Sequence, residues 1–167
     1  MNNDSEQSDW LLPYVAGVVD NHFNLVVTLS EASSRAVGVR VQPTVRYKFE
    51  QDATQRVLNQ YCHKIGVDPR MNKKDTTYGQ YEFVIGRRDD IKTFLQPLQP
   101  YLVVRDAAVE LLIDNIIPAL NSGAHGEKES FLQLVQTIDT FRNKAGRANR
   151  SKYDYDYFKQ KWNLSNT

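Results

Sequence analysis

The chain lacks most of the features that would commit it early to one chemistry. A single cysteine, Cys62, in 167 residues excludes an internal disulfide framework and any cysteine-rich zinc site. Only three histidines are present, with no His-x-x-x-His pair to hold a metal on one helix face. No apolar run approaches the roughly 18 residues of a spanning helix, so no membrane partner is expected. Neither sign of charge prevails: 21 Lys and Arg face 20 Asp and Glu. Total charge therefore says nothing about partners, and its distribution has to be read instead. There is no internal repeat and no low-complexity linker. The opening MNNDSEQSDW is polar and acidic, unlike a secretory or transit signal. The expectation is an intracellular protein of the cytoplasm, nucleoid or an organelle. Residues 1–8 are expected to be flexible and 9–167 to form one domain, a length sufficient for a proper core.

The informative stretch is WLLPYVAGVVDNHFNLVVTL, residues 10–29. It begins as a helix, with Ser8 or Asp9 as a candidate N-cap. Trp10, Leu11, Tyr14, Val15, Val18 and Val19 cover more of its surface than one core needs. A mid-helix Gly17 costs up to about 1 kcal/mol relative to Ala, so something should compensate. Close approach of a second helix is one candidate, and tight packing inside a monomer is the other.

The helix runs into an alternating segment from Phe23 to Leu29, and after the turn EASSRAVG a second alternation spans Val39 to Phe49. Period two makes each a half-buried strand, and together a hairpin. Arg40, Gln42, Thr44, Arg46 and Lys48 share its polar side. Asp52 is positioned to cap a helix through about Ile65, where Gly66 stops it. A second hairpin follows, Arg70 to Lys74 and then Gln80 to Ile85, with Gln80 and Glu82 outward. Helices are expected from Asp89 to Leu95, Arg105 to Ile117, Lys128 to about Lys144, and Tyr155 to Trp162. The fold class is α+β, a four-stranded antiparallel sheet with helices on one face and the other face wet, polar and partly basic. Such a saddle suits a DNA major groove.

With these elements in place, the sequence resembles the LAGLIDADG homing endonucleases, in particular the homodimeric members with one motif. Val15-Ala16-Gly17-Val18-Val19-Asp20 follows the signature, identical at Ala, Gly and the first Asp. A second landmark, LQPYLVVRDAAVELLI at residues 98–113, looks like the segment that carries a basic residue into the family's active site. The resemblance covers roughly residues 10–150. It implies an αββαββα domain with added C-terminal helices. It also implies a dimer interface of Leu12, Val15, Ala16, Gly17 and Val19, and divalent metal held at the helix ends, Mg²⁺ if the protein is catalytically active.

The motif also departs from the family. The second acidic residue, the metal-binding one, is His22 here, and the following Gly is Phe23. A hard cation wants oxygen ligands, so the lost carboxylate damages the site. Asp20 is left as the one candidate metal ligand, in a position that in the family mainly shapes the helix end. His22 has the simpler reading of a capping or solvent contact. Glu50 falls near the position of a water-positioning residue, although alternation would instead place Phe49 or Gln51 there, a conflict that a strand bulge would reconcile. Glu50 also reads as an ordinary helix-start carboxylate. Arg105 stands where the family has its catalytic Lys. It suits a phosphate but not proton shuttling, and alternatively neutralises Asp106. If the protein cuts DNA, the catalytic set is Asp20, His22, Glu50 and Arg105.

For double-stranded DNA, the base-edge candidates are Asn24, Val26, Thr28 and Ser30, with Arg40, Gln42, Thr44 and Arg46, and Arg70, Asn72, Gln80 and Glu82 from the second hairpin. Lys48, Lys73, Lys74, Lys144, Arg147, Arg150 and Lys152 suit phosphate contacts that set register. A solvated sheet face with a charged tail is the alternative. Three functions follow in order: a sequence-specific DNA-binding homodimer with weak or lost nuclease activity and a regulatory use, an active metal-dependent homing endonuclease cutting a long pseudo-palindromic site, and a protein-interaction module.

Overall fold

A computed structural model describes residues 10–50, 53–75, 79–146 and 151–163, with residues 50 and 73–75 described through their backbone only. The expected flexible start, the candidate caps Ser8, Asp9 and Asp52, Gln51, Arg147 and Arg150 lie outside the described residues, as do the side chains of Glu50, Lys73 and Lys74.

The chain runs α1 (Leu11–His22), β1 (Asn24–Glu31), β2 (Val39–Glu50), α2 (Ala53–Ile65), β3 (Arg70–Asp75), β4 (Gln80–Ile85) and α3 (Arg88–Leu95). A 3₁₀ segment, Gln96–Tyr101, leads to α4 (Asp106–Glu110), a π-helical stretch (Leu111–Ile116) and α5 (Ile117–Asn121). The helices α6 (Lys128–Ala145) and α7 (Tyr155–Lys161) follow. The α+β class and the αββαββα order expected from sequence are thus observed. The helix expected over 105–117 extends to Asn121 and is wider in the middle, just before Pro118, which has no N–H to give to a regular turn.

The sheet order is β1-β2-β4-β3, all antiparallel. The two hairpins were legible from alternation, whereas the pairing of β2 with β4 that joins them was not. One face of the sheet is made by Leu25, Val27, Leu29, Val45, Tyr47, Phe49, Phe83 and Ile85, all buried in a single hydrophobic core with α1 and α3. Phe23, where the family that the sequence resembles has Gly, is fully buried. Its ring lies 5.1 Å from Tyr47, 5.6 Å from Phe83 and 5.7 Å from Phe94. A Gly there would leave this aromatic cluster a hole, and large-to-small changes in such sites cost about 3–5 kcal/mol.

Pairing of β2 with β4 runs in register from Val45↔Ile85 to Glu50↔Gln80. The bulge that would have moved Glu50 is therefore absent from β2, and the register shift in the sheet falls in β3, between Lys73 and Asp75. Phe49 points into the core, which removes it as an active-site candidate. Pro43 occupies a part of β2 that β4 does not reach, where a strand tolerates a missing N–H.

The C-terminal helices dock through aromatic packing, with the Phe131 ring 5.1 Å from Phe158 and 5.5 Å from Trp162. Arg142, buried in α6, donates to Asp139 Oδ1 at 2.9 Å and the Tyr153 carbonyl at 2.7 Å, and reaches the Val27 carbonyl on the edge strand β1 at 3.5 Å. Asp139 in turn accepts from the Tyr155 N–H at 2.8 Å. One buried cation therefore ties α6, the approach to α7 and the edge of the sheet together.

Two predictions follow from this packing. Arg142→Ala takes the donor from Asp139 Oδ1 and the Tyr153 carbonyl and should cost about 2–3 kcal/mol in urea unfolding, with Arg142→Lys recovering only part, since it keeps the charge but not the fork of donors. Burial, assisted by Asp68, pushes the Cys62 thiol up to about 12. The unfolded thiol ionises first, so this group's stabilisation is complete below roughly pH 8.5 and is lost as pH rises toward the folded value. Cys62 should accordingly resist alkylation in the native protein and react at the rate of unfolding, as followed by thiol labelling across a urea series.

Candidate functional site

The end of α1 is where the sequence concentrated its candidates, and the structure uses it for an internal clasp. Asp20 is buried in the last turn of α1. A carboxylate at this end of a helix opposes the macrodipole, so it needs compensating donors. It has three: Asp20 Oδ2 accepts from Val103 N–H at 2.8 Å and Val104 N–H at 3.2 Å, and Oδ1 accepts from Arg105 N–H at 2.9 Å. These are successive amides of the segment that leads into α4, ending at its N-cap Arg105. The Arg105 side chain then closes the clasp. Its Nε donates to the Asp20 carbonyl at 3.2 Å and its Nη1 to the Ala145 carbonyl at 2.9 Å. Arg105 thus caps the C-terminal ends of both α1 and α6, a favourable place for a cation. Burial lowers its pKa and the Asp20 charge opposes that. An arginine stays protonated regardless.

His22 is exposed beside this clasp, its ring centroid 6.1 Å from that of Tyr47. Asn21 Nδ2 donates back to the Gly17 carbonyl one turn earlier in α1, at 2.7 Å. Among the described residues no three His, Cys, Asp or Glu side chains gather as a metal cage. The donor set at the α1 end is a carboxylate with three amide donors already on it, an imidazole and a guanidinium. These do not fit Mg²⁺, which demands oxygen ligands in near-octahedral order.

The interface residues expected on α1 divide in two. Val15, Ala16 and Val19 have no exposed surface, because they face the chain's own core rather than outward. Gly17 reaches the surface on a stripe with Trp10, Pro13, Tyr14 and Asn21, whereas Leu12 is partly buried against the core on another side of α1. A Cβ built on Gly17 meets nothing within 4 Å, so packing within this chain does not require glycine. Next to α1 lie exposed Tyr101, Val103 (85% exposed) and Val104 (71%). Sequence reading treated 103–104 as the approach to a basic residue and missed their exposure. The signal available was two β-branched apolar residues immediately before a charged pair.

The outer face of the sheet is built in cross-strand rows. Ser30 faces Arg40, Thr28 faces Gln42, and Val26 faces Thr44. Asn24, Arg46, Val84 and Arg70 form a row across all four strands, and Lys48, Glu82 and Asn72 another. Thr28, Arg40, Gln42, Lys48, Arg70 and Gln80 are exposed, while Asn24, Val26, Ser30, Arg46 and Asn72 are partly so. Two candidates are on the expected face without being open on it. Thr44 is buried, its hydroxyl accepting from Arg46 Nε at 3.2 Å. Glu82 is buried between Lys48 and Asn72. Alternation gives both residues their outward parity and does not reveal their burial. Lys144 is exposed in the last turn of α6, and Lys152 is exposed with its Nζ 4.8 Å from the Tyr153 ring.

Neither a family model nor a curated protein sequence matches the chain. Solved structures do. Over 94% of this chain and 99% of its own, the archaeal intron-encoded homing endonuclease I-Vdi141I, complexed with DNA, superposes with a TM-score of 0.76 at 19% identity. The homing endonuclease I-CvuI, complexed with DNA not cleaved in the presence of Mg, gives 0.74 at 17% identity, covering 92% of this chain and 93% of that one. The LAGLIDADG homing endonuclease I-SmaMI, bound to cleaved DNA, gives 0.69 at 13% identity, this chain spanning 47% of its length. The chain has the fold of the LAGLIDADG homing endonucleases and the size of their shorter members.

The clasp carries its own prediction. Asp20→Ala leaves three amide donors facing an apolar methyl and should lower stability by about 2–3 kcal/mol, with Asp20→Asn close behind because it turns a donor toward donors. Denaturant unfolding without added metal reads this directly. An unchanged midpoint would mean that Asp20 is not the structural keystone described.

Proposed function

We propose that the protein is a sequence-specific binder of double-stranded DNA that acts as a homodimer, with the metal-dependent cleavage of its fold relatives weak or lost. One observation carries the reading. The outer sheet face retains graded cationic and amide rows, while the α1 end has spent Asp20 on backbone amides. Arg46 and Arg70 flank Val84 in the central row, a spacing that offers two guanidinium forks to guanine edges around one apolar contact. Exposed Lys48 and Lys144 suit backbone phosphates. That the I-Vdi141I and I-CvuI structures are DNA complexes supports this use of the face.

Pairing of two copies is supported by the apolar surface beside the clasp. Trp10, Tyr14, Val103 and Val104 are large apolar groups open on one side of α1, around a glycine with open space above it. A second α1 laid on this stripe would bring backbones close at Gly17, offsetting its helix cost. A symmetric dimer would then read a pseudo-palindromic site and place its two sheets in successive stretches of major groove. A regulatory role, occupying a site without cutting it, is the use that follows from this chemistry.

Selection from randomised duplex DNA in Mg²⁺, sequencing retained and cut molecules separately, tests the whole reading. The expected result is a palindrome-like consensus recovered intact. Discrete cuts within it would restore the active endonuclease, and no retention at low salt would leave a protein-interaction module. Arg46→Ala should relax one base position in each half-site by about 1–3 kcal/mol, whereas Lys48→Ala should weaken all sequences alike and flatten the salt dependence. Gly17→Leu should leave the fold intact, or stabilise α1 by up to about 1 kcal/mol. It should shift sedimentation from dimer to monomer and abolish recovery of paired half-sites. A dimer that survived Gly17→Leu would place the interface elsewhere.

A further inference from the structure

The half of β2 that β4 does not cover borders a pocket that Arg40 and Gln42 share with the outer sheet face. β2 pairs with β1 from Val39 to Arg46, but with β4 only from Val45 onward. The chain leaves the sheet at Gly86, and the gap is a pocket of about 240 Å³. Arg35 enters it from the turn between β1 and β2, Arg40 from β2, Arg88 from the first residue of α3, and His125 from the turn between α5 and α6. Among the described residues no carboxylate lines it. Four separate segments thus bring basic side chains to one place with no lining counter-charge, an arrangement that Coulomb repulsion disfavours while the pocket is empty of anions.

The donors are partly uncommitted. Arg88 Nη1 donates to Asn121 Oδ1 at 3.1 Å, one of a guanidinium's five N–H groups. His125 Nδ1 is shielded from solvent and has no hydrogen-bond partner among the described residues. A buried N–H without an acceptor is rarer than an unpaired lone pair, so the neutral ring carries its proton on Nε2, where it can donate. Burial, Arg88 and Arg35 all lower the imidazole's pKa from its ordinary value. The fold holds a neutral ring against two cations.

We propose that this pocket binds a tetrahedral oxyanion of the phosphate class, held by Arg35, Arg40 and Arg88 with His125 as the fourth donor. An anion there relieves the crowding of guanidinium groups and favours the charged imidazole. Binding and proton uptake are then linked, each strengthening the other. The arginines keep their charge throughout, so His125 is the titrating group among the lining residues. Two sources share this chemistry: a nucleic-acid phosphodiester, entering along the outer face at Arg40 and Gln42, and a free phosphate. The pocket does not depend on the DNA reading, since its residues converge whether or not a duplex lies on the sheet.

The test uses the full chain and the imidazole C2–H resonances of its three histidines, with His125→Gln assigning the relevant one. Sulfate serves as the probe because its charge is constant across the range. Saturable movement of the His125 signal is expected, with His22 and His63, both exposed, unmoved. The His125 titration should shift upward in sulfate, and affinity should be greater at about pH 6 than at about pH 8. Arg88→Gln or Arg35→Gln, both at the surface, should weaken binding on the order of tenfold. A non-saturating drift shared by all three histidines, or binding indifferent to both substitutions, overturns the proposal. A mixed-sequence duplex separates the sources. If it moves the His125 signal and Arg88→Gln weakens its binding, the occupant is the backbone. If only sulfate and phosphate move the signal, the occupant is free. A duplex that binds while neither it nor sulfate touches His125 sinks the pocket and spares the DNA reading. Sulfate binding without any duplex affinity does the reverse.

Discussion

A buried carboxylate at the wrong end of a helix organises this molecule. Asp20 opposes the macrodipole of α1, and the chain resolves the conflict by aiming three consecutive amides and a guanidinium at it. The same contacts fix the entrance to α4 and, through Arg105, the end of α6. The relative placement of three helices follows from one ion. So does the exposure of Val103 and Val104, whose amides must turn inward to reach Asp20 while their side chains face away.

This commitment has a chemical consequence. A carboxylate saturated by amide donors has little left for a hydrated divalent cation, and the next acidic position of the motif is an imidazole. Arg105 is likewise occupied with two helix ends. Asp20 and Arg105 together hold the end of α1, the entrance to α4 and the end of α6 in place. On the sheet's outer face Thr44 and Glu82 are buried, while Thr28, Arg40, Gln42, Lys48, Arg70 and Gln80 stay open to solvent.

Much of the fold was legible. Alternation in 23–29 and 39–49 located both strands of the first hairpin, Gly66 marked the end of α2, and Asp89-Asp90 marked the start of α3. Inward and outward assignments along β2 held from Val39 to Lys48. The site was legible at the level of which element carries each candidate, and less so at the level of contact. Thr44 and Glu82 have the outward parity but lie beneath their neighbours. Val15, Ala16 and Val19 belong to α1's inner side although the apolar letters run almost round the helix. Periodicity assigns a direction. It does not say what stands over a residue.

Local patterns along the chain settle the elements, their order, the polar face of the sheet and the conflict at Asp20, because each depends on neighbours within a few residues. The tertiary structure decided the β2–β4 pairing, the capture of Asp20 by amides 83 to 85 residues away, and the convergence of Arg35, Arg88 and His125. These depend on the angle at which α1 crosses the 3₁₀ segment and on the point where β4 leaves β2. Both angle and departure point are set by how the whole core packs, a sum over distant side chains that no local pattern encodes.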